Sequence, residues 1–306
     1  MKEREKRSGQ SRTESKMNKK FTVLSLLMIT LAIAGCQGPA REGTFRDSIH
    51  KNPVYVAEVR QISAGKSVEQ RDINYTVHGN GGEVTLVIAG IHGDEKAGVA
   101  IANKLDSVLA ERPYKALGKT IVILPIANPD GYAKNSRLNA RKIDINRNFA
   151  TFNRIDNNNN GHRGLSEPES IALAKIIYDY NPSKIISLHS SLACIDYDGP
   201  AEAIAKRMGS QCSLPVMKLG SRPGSLGTYA GFEKAVPMIT VEFTPDDEKL
   251  GADRLWEKYE KSIFAGIDYE YVEIESQEEK NAADSINDTG LWESDIRSDD
   301  GTTQYH

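Results

Sequence analysis

Glu83–Ile91, reading EVTLVIAGI, constrains the fold of this chain more than any other stretch. It is apolar almost without interruption, so a strand built from it has no face to offer water and must be covered on both sides. Thr120–Ile126 (TIVILPI) repeats the pattern, and Lys184–Leu188 (KIISL), Leu214–Lys218 and Met238–Phe243 (MITVEF) read as further strands. Between these runs the period changes. Val99, Ala102, Leu105 and Leu109 give residues 95–111 a helical rhythm. Ser166-Glu167-Pro168-Glu169 predicts a capping box, with Ser166 at the N-cap, opening a helix through IALAKIIYDY. Asp253–Tyr269 reads as a closing helix and residues 54–79 as an edge hairpin. This alternation predicts one α/β domain over residues 53–274, a mixed, mostly parallel sheet flanked by helices.

The flanks are of another kind. From Met17 the chain reads MNKKFTVLSLLMITLAIAGC: two lysines, an apolar stretch from Phe21 to Ala34, then Gly35 and Cys36. That order marks a signal segment over residues 1–36, and Ile33-Ala34-Gly35-Cys36 resembles a bacterial lipobox, in which the cysteine is acylated. An uncleaved signal anchor is the alternative. The highly charged residues 1–16 precede a second candidate initiator, Met17. Residues 37–52 read as a polar tether, and residues 275–306, acidic and poor in branched apolar side chains, as a disordered tail. The expected location is the cell envelope, lipid-anchored to a membrane on the periplasmic side, or at the outer membrane in a Gram-negative host. The remaining cysteines, Cys194 and Cys212, are a candidate pair in an oxidising compartment, with free thiols the favoured reading. Thirty-nine basic and 42 acidic residues leave a net charge of −3, which gives nucleic acid no electrostatic handle.

Of six histidines, His50, His78, His162 and His306 have little context, whereas His92 and His189 follow buried strand runs directly. The carboxyl ends of strands line the ligand crevice of an open α/β sheet, so two imidazoles arriving there can converge on one ion. Glu95 stands three residues after His92, in His92-Gly93-Asp94-Glu95. Two histidines and one carboxylate leave a zinc ion with an open position, the arrangement of a catalytic site. The competing use of Asp94 and Glu95 is to serve the N-terminus of the following helix.

Further segments extend the pattern. After GIHGDE come NPDG at Asn128–Gly131 and R-x-N-x-x-x-x-D-x-N-R-N-F from Arg137 to Phe149, then the strand-ending His189 and a distal Glu242. Together these resemble the zinc carboxypeptidase family typified by carboxypeptidase A, over nearly all of residues 83–245. Within the family, Ser166–Glu169 (SEPE), His189–Asp196 (HSSLACID), Pro223–Gly227 (PGSLG) and Ile239–Phe243 (ITVEF) are similar to the murein peptide amidases, which cleave between γ-D-glutamate and diaminopimelate. The resemblance implies Zn2+ held by His92, Glu95 and His189. It implies Glu242 as general base, Arg137 as the group that polarises the scissile carbonyl, and Asn146 with Arg147 as the grip on a substrate carboxylate. Arg141 is a rival to Arg137, and Asp144 is expected to orient the loop or a histidine. The implied activity is hydrolysis of a peptide bond next to a free carboxylate, in muropeptides. A general metallocarboxypeptidase and an N-acyl amino acid deacylase, of the succinylglutamate desuccinylase and aspartoacylase type, are the alternatives.

Three features depart from the pattern. Lys142 stands where the family usually has glycine, Tyr197 and Tyr229 are the only nearby candidates for a substrate-capping tyrosine, and the signal segment places the chain outside the cytoplasm. Asp156-x-Asn158-x-Asn160-Gly161, followed by Glu167, matches a calcium-loop formula in spacing, but Arg163 and the absence of a preceding helix pattern favour a polar surface loop.

Overall fold

The computed structural model describes residues 59–268. The signal segment with Cys36, the tether and the acidic tail lie outside them. Seven strands form one sheet in the order β1-β2-β4-β3-β5-β7-β6: β1 (Val59–Lys66), β2 (Asp72–Gly79), β3 (Glu83–Ala89), β4 (Lys119–Leu124), β5 (Lys184–Ser190), β6 (Cys194–Asp198) and β7 (Met238–Phe243). The four central strands pair in parallel, while β1, β2 and β6 join antiparallel at the two sides. Half of the six pairings are therefore antiparallel, more than the apolar runs alone foretell. The edge hairpin expected over residues 54–79 is present as β1 and β2 within the described residues, whereas β6 at the other side carries too little hydrophobic signal to declare itself.

The strand period divides the core. Val87, Ala89, Ile121, Ile123, Ile186, Leu188, Ile239 and Val241 point to one face, where they meet α1 (Lys96–Glu111), α4 (Glu202–Gly209) and α5 (Ala252–Ile267). Leu86, Ile88, Val122, Leu124 and Ile185 point to the other, against α3 (Pro168–Tyr180), Phe149 and Leu226. Truncating any of the leucines or isoleucines among these to alanine costs about 2–5 kcal/mol. A short α2 (Pro129–Lys134) follows β4.

Two sequence expectations fail locally. Ser166 does not cap α3: Glu167 occupies the N-cap without a side-chain cap bond, and Ser166 Oγ donates to Glu167 instead. Glu169 is drawn away from the helix end by Val68 N and Asn139 Nδ2. Leu214–Lys218 is not a strand. It makes a single parallel bridge, Val216 to Ile195, with β6. Cys194 and Cys212 are free thiols, the former buried.

Candidate active site

His92 reaches the crevice through a turn that depends on close packing. Gly90 ends β3 in the left-handed region, with φ +61°. Gly93 then lies so near Gly131 that a Cβ there would stand 2.0 Å from the Gly131 carbonyl carbon. The NPDG segment is the other half of this contact. Asn128 Oδ1 accepts from Gly131 N at 2.9 Å, and its Nδ2 donates to Ile91 O at 3.3 Å. The two motifs therefore hold each other in place, and the imidazole is aimed by backbone rather than by a flexible loop.

Glu95 occupies the N-cap position of α1, yet its carboxylate makes no cap hydrogen bond. The orphan amides of Lys96 and Ala97 are satisfied by Glu248, at 2.9 and 3.2 Å. Glu248 also accepts from Ser190 Oγ, next to His189. One carboxylate thus ties the start of α1 to the end of β5 and frees Glu95 for other work. Glu95 Oε1 lies 2.7 Å from His92 Nδ1 and its Oε2 2.8 Å from His189 Nδ1. The two Nδ1 atoms are 3.2 Å apart.

This cluster fits a divalent cation. His92 Nε2 donates to Asp144 Oδ1 at 3.2 Å, which leaves the Nδ1 lone pair turned toward Glu95 and His189. Electron-pair donors crowded face to face repel unless a positive charge lies among them, and two imidazole nitrogens with one carboxylate suit zinc. The three groups also shift one another's proton affinity, and a metal ion would have to displace the proton this arrangement favours on His92. Burial raises the Glu95 carboxyl, but His189 and His92 outweigh it and pull it down to about 2. Burial opposes the charged form of His92, yet Asp144 and Glu95 hold it above its ordinary value. All three side chains are buried.

The cluster opens into a cavity of about 360 Å³ whose walls include Arg137, Asn146, Arg147, Asp196, Asp198, Arg222, Thr240 and Glu242. Glu242 is the register partner of His189 on the adjacent parallel strand, so both side chains leave the same face. Burial, with Glu95 adding to it and His189 opposing, raises the Glu242 carboxyl above the usual glutamate range. Arg137 donates from Nε and Nη2 to Asp144 Oδ2 at 3.3 and 3.2 Å, and its Nη1 lies 3.5 Å from Glu95 Oε1. Arg141 turns away to Glu167 and does not line the cavity, which separates it from its rival. Asn146 Oδ1 accepts from Leu226 N at 2.9 Å, leaving its amide NH2 as a donor. Arg147 is half-buried, which disfavours its charge and makes it a ready partner for an incoming anion.

Asp144 sits at the centre of these contacts, accepting also from Asn146 N at 2.9 Å. Although burial raises its carboxyl, His92, Arg137 and Arg147 hold it far below the usual range. Lys142 takes φ +66°, a left-handed conformation that explains the glycine usual there. Neither Tyr197 nor Tyr229 lines the cavity. Tyr229 stacks on Phe149. In the 156–167 segment Asn157 Oδ1 accepts from the amides of Asn159 and Asn160, and Asp156 pairs with Arg154, so these side chains are engaged within the loop. His78, buried, binds Asp106 at 2.6 Å, and His162 is exposed at the surface. Sequence reasoning missed Glu248, Asp196 and Asp198. The two aspartates alternate along β6, but a five-residue strand in polar surroundings carries too weak a period to reveal them.

Comparison with known proteins agrees with this geometry. The zinc carboxypeptidase family profile matches residues 52–285. Murein peptide amidase A of Vibrio campbellii is 32% identical over 203 residues, 60% of this chain and 77% of that protein. The Escherichia coli K12 protein of the same name is 30% identical over 195 residues, 58% of this chain and 76% of the relative. Among solved structures, the murein-tripeptide amidase of Escherichia coli O157 superposes with a TM-score of 0.55 at 24% identity, covering 69% of this chain and 93% of that one. Carboxypeptidase A of Helicoverpa armigera gives 0.58 at 19% identity, covering 68% of each. These two likenesses establish the shared fold.

Proposed function

We propose, from the premise that this chain belongs to the zinc carboxypeptidase family, that it is a zinc-dependent amidase of cell-wall peptides, cutting the bond that joins γ-D-glutamate to diaminopimelate. The observation that carries the reading is the meeting of His92, Glu95 and His189 in the wall of a cavity that also holds Glu242, Arg137, Asn146 and Arg147. The similarity to murein peptide amidase A supports the choice of substrate.

His92, Glu95 and His189 would hold the ion. Held there, zinc would supply Lewis acidity that makes water a competent nucleophile near neutral pH. Arg147 offers a planar fork to the carboxylate of the residue to be released, and Asn146 adds an amide donor. That grip fixes the scissile carbonyl near Arg137, whose guanidinium neutralises charge growing on the oxygen; losing one such donor costs about 3–4 kcal/mol in the transition state. Glu242 accepts the proton of the attacking water and passes it to the leaving nitrogen, a role suited to a carboxyl whose affinity for protons is raised. Asp144 keeps both His92 and Arg137 in position.

The chain is also proposed to act at the envelope, anchored through lipid on Cys36. Release of diaminopimelate from a defined muropeptide, with and without chelator, tests the amidase reading. Chelator-sensitive release is the expected outcome. A zinc-loaded preparation that turns over ordinary C-terminal peptides but no wall peptide would replace it with a general carboxypeptidase. Replacing Cys36 with alanine should move the protein from the membrane fraction to the soluble fraction.

A further inference from the structure

We infer that Asn139 is a positioning residue for the reaction: bridged to the acids of Glu167 and Glu169, it closes the loop that carries Arg137 and Asp144 and holds both against the metal cluster. The inference rests on the proposed function for the role of Arg137, and not for the identity of the substrate.

The loop has a neck. Asn139 N donates to Ile143 O at 3.0 Å, and Asn139 Oδ1 accepts from the amides of Arg141 and Ile143 at 3.0 Å each. Lys142 N closes the turn on Asn139 O, and Lys142 takes the left-handed φ of +66° that so short a reversal demands. Residues 139 and 143 are thereby held side by side, which brings together the residues just outside the neck. These are Arg137 and Asp144, whose side chains meet at 3.2 and 3.3 Å. Asp144 carries the effect onward to His92 Nε2.

The other end of the same side chain fixes the neck to the body of the domain. Asn139 Nδ2 donates to Glu167 Oε2 at 2.8 Å and to Glu169 Oε2 at 3.2 Å. An amide side chain offers two acceptor positions and two donor hydrogens, and here all of them are used. The two acids are anchored in turn. Glu167 N donates to Asn148 Oδ1 at 3.1 Å, and Glu169 Oε1 accepts from Val68 N at 3.2 Å, in the turn between β1 and β2. Asn139, Glu167 and Glu169 are 2%, 4% and 0% exposed, and none of them lines the cavity. The SEPE segment therefore lies off the cavity, and its two carboxylates receive the amide that sets the loop.

The residue type at 139 matters. Aspartate there sets a third carboxylate against two buried ones, and alanine takes a partner from both acids and from two loop amides. Arg141 Nη1, 3.4 Å from Glu167 Oε2, balances one of the acids, which gives the rival of Arg137 its own use.

A double-mutant cycle separates positioning from plain stability, because a residue acting through Arg137 has little left to do once that guanidinium is gone. Asn139→Ala should lower kcat/KM about 30-fold in the wild type and no more than about threefold in Arg137→Ala. Zinc titration against a chelator should show affinity weakened about threefold or more, since Asp144 aims His92. Asp130→Asn is the control. It removes a buried charge from Ser67 and Arg71, beside the same hairpin turn, and should lower the melting temperature with kcat/KM held within about twofold. If Asn139→Ala does not fold, Glu169→Gln enters the same cycle. It keeps the volume but sets a donor against a donor whichever way it turns, and its expected loss of about fivefold should vanish in Arg137→Ala. Equal losses in the two backgrounds, zinc affinity within about twofold of wild type, or a fall in Asp130→Asn as large as that in the loop variant would each overturn the inference. The cycle runs on whichever peptide is cleaved, so turnover of ordinary C-terminal peptides alone would fail the amidase reading and leave this test intact. Turnover of no peptide at all would sink the proposed function, and the zinc titration then decides.

Discussion

Replacing Asp144 with asparagine removes one charge and almost no volume, yet the structure assigns it a large effect on metal binding. Oδ1 accepts from His92 Nε2 at 3.2 Å and from Asn146 N at 2.9 Å, while Oδ2 accepts from Arg137 at 3.2 and 3.3 Å. An amide has one acceptor and one donor end, so whichever way the new side chain turns, one of these groups faces a donor. If His92 loses its acceptor, its proton is free to shift to Nδ1, the atom that points to Glu95 and His189. Outer hydrogen-bond partners of metal-ligating histidines are worth 10- to 100-fold in affinity, or about 1.4–2.7 kcal/mol. Titration of the apoprotein with zinc against a chelator of known affinity should show a dissociation constant raised within that range. Saturating zinc should not restore full kcat/KM, because Arg137 has also lost its anchor. Asp130 is a useful control, since it too is buried but bonds Ser67, Glu69 and Arg71 away from the cavity. Asp130→Asn should lower thermal stability and leave zinc affinity within threefold. Zinc affinity unchanged within twofold in Asp144→Asn would refute this account of how His92 is oriented.

The remaining expectations are more direct. Glu242→Gln should retain one zinc per chain and lose about 10²–10⁴-fold in kcat, read by metal analysis beside turnover. The same carboxyl sets the pH profile. It must be ionised to accept a proton, and its affinity for protons is raised, so kcat/KM should fall toward acid with a limb above the ordinary glutamate pKa, and Glu242→Gln should abolish that limb. Glu248→Gln weakens the charge facing the first amides of α1, so thermal stability should drop by about 0.5–2 kcal/mol and zinc should bind less tightly, as measured by melting with and without metal. Asp198 adds a stability term of opposite sign to the usual acid. Its carboxyl holds a proton more tightly folded, about 6, than unfolded, 3.8, so stability falls by up to about 3 kcal/mol as pH rises through that window. Denaturant titrations should show that slope in the wild type, and its absence in Asp198→Asn.

Much of the site could be read from sequence because its parts stand on strongly hydrophobic elements. β3 and β5 are buried on both faces, and their apolar runs point straight to His92 and His189. The spacing from His92 to Glu95 was legible, but its purpose was not. Whether Glu95 serves a helix or an ion depends on Glu248, which arrives from 152 residues away and satisfies the helix first. Position 248 lies in DDEKL, indistinguishable in composition from a solvated turn. β6 was missed for a similar reason: Asp196 and Asp198 look polar and exposed, and become buried only because β7 pairs alongside and, at Asp198, Gly227 packs against the carboxylate. Leu214–Lys218 shows the converse error, an apolar stretch that makes only one bridge to β6. At Ser166 the local capping signal lost to longer-range bonds from Asn148, whose side chain gathers Ser166, Glu167 and Ser170.

Anomalous diffraction from zinc-loaded crystals tests the central claim most directly. One ion should appear between His92 Nδ1, His189 Nδ1 and the Glu95 carboxylate, at about 2.0–2.2 Å from each. Zinc bound elsewhere with these three side chains still joined only to one another would contradict it.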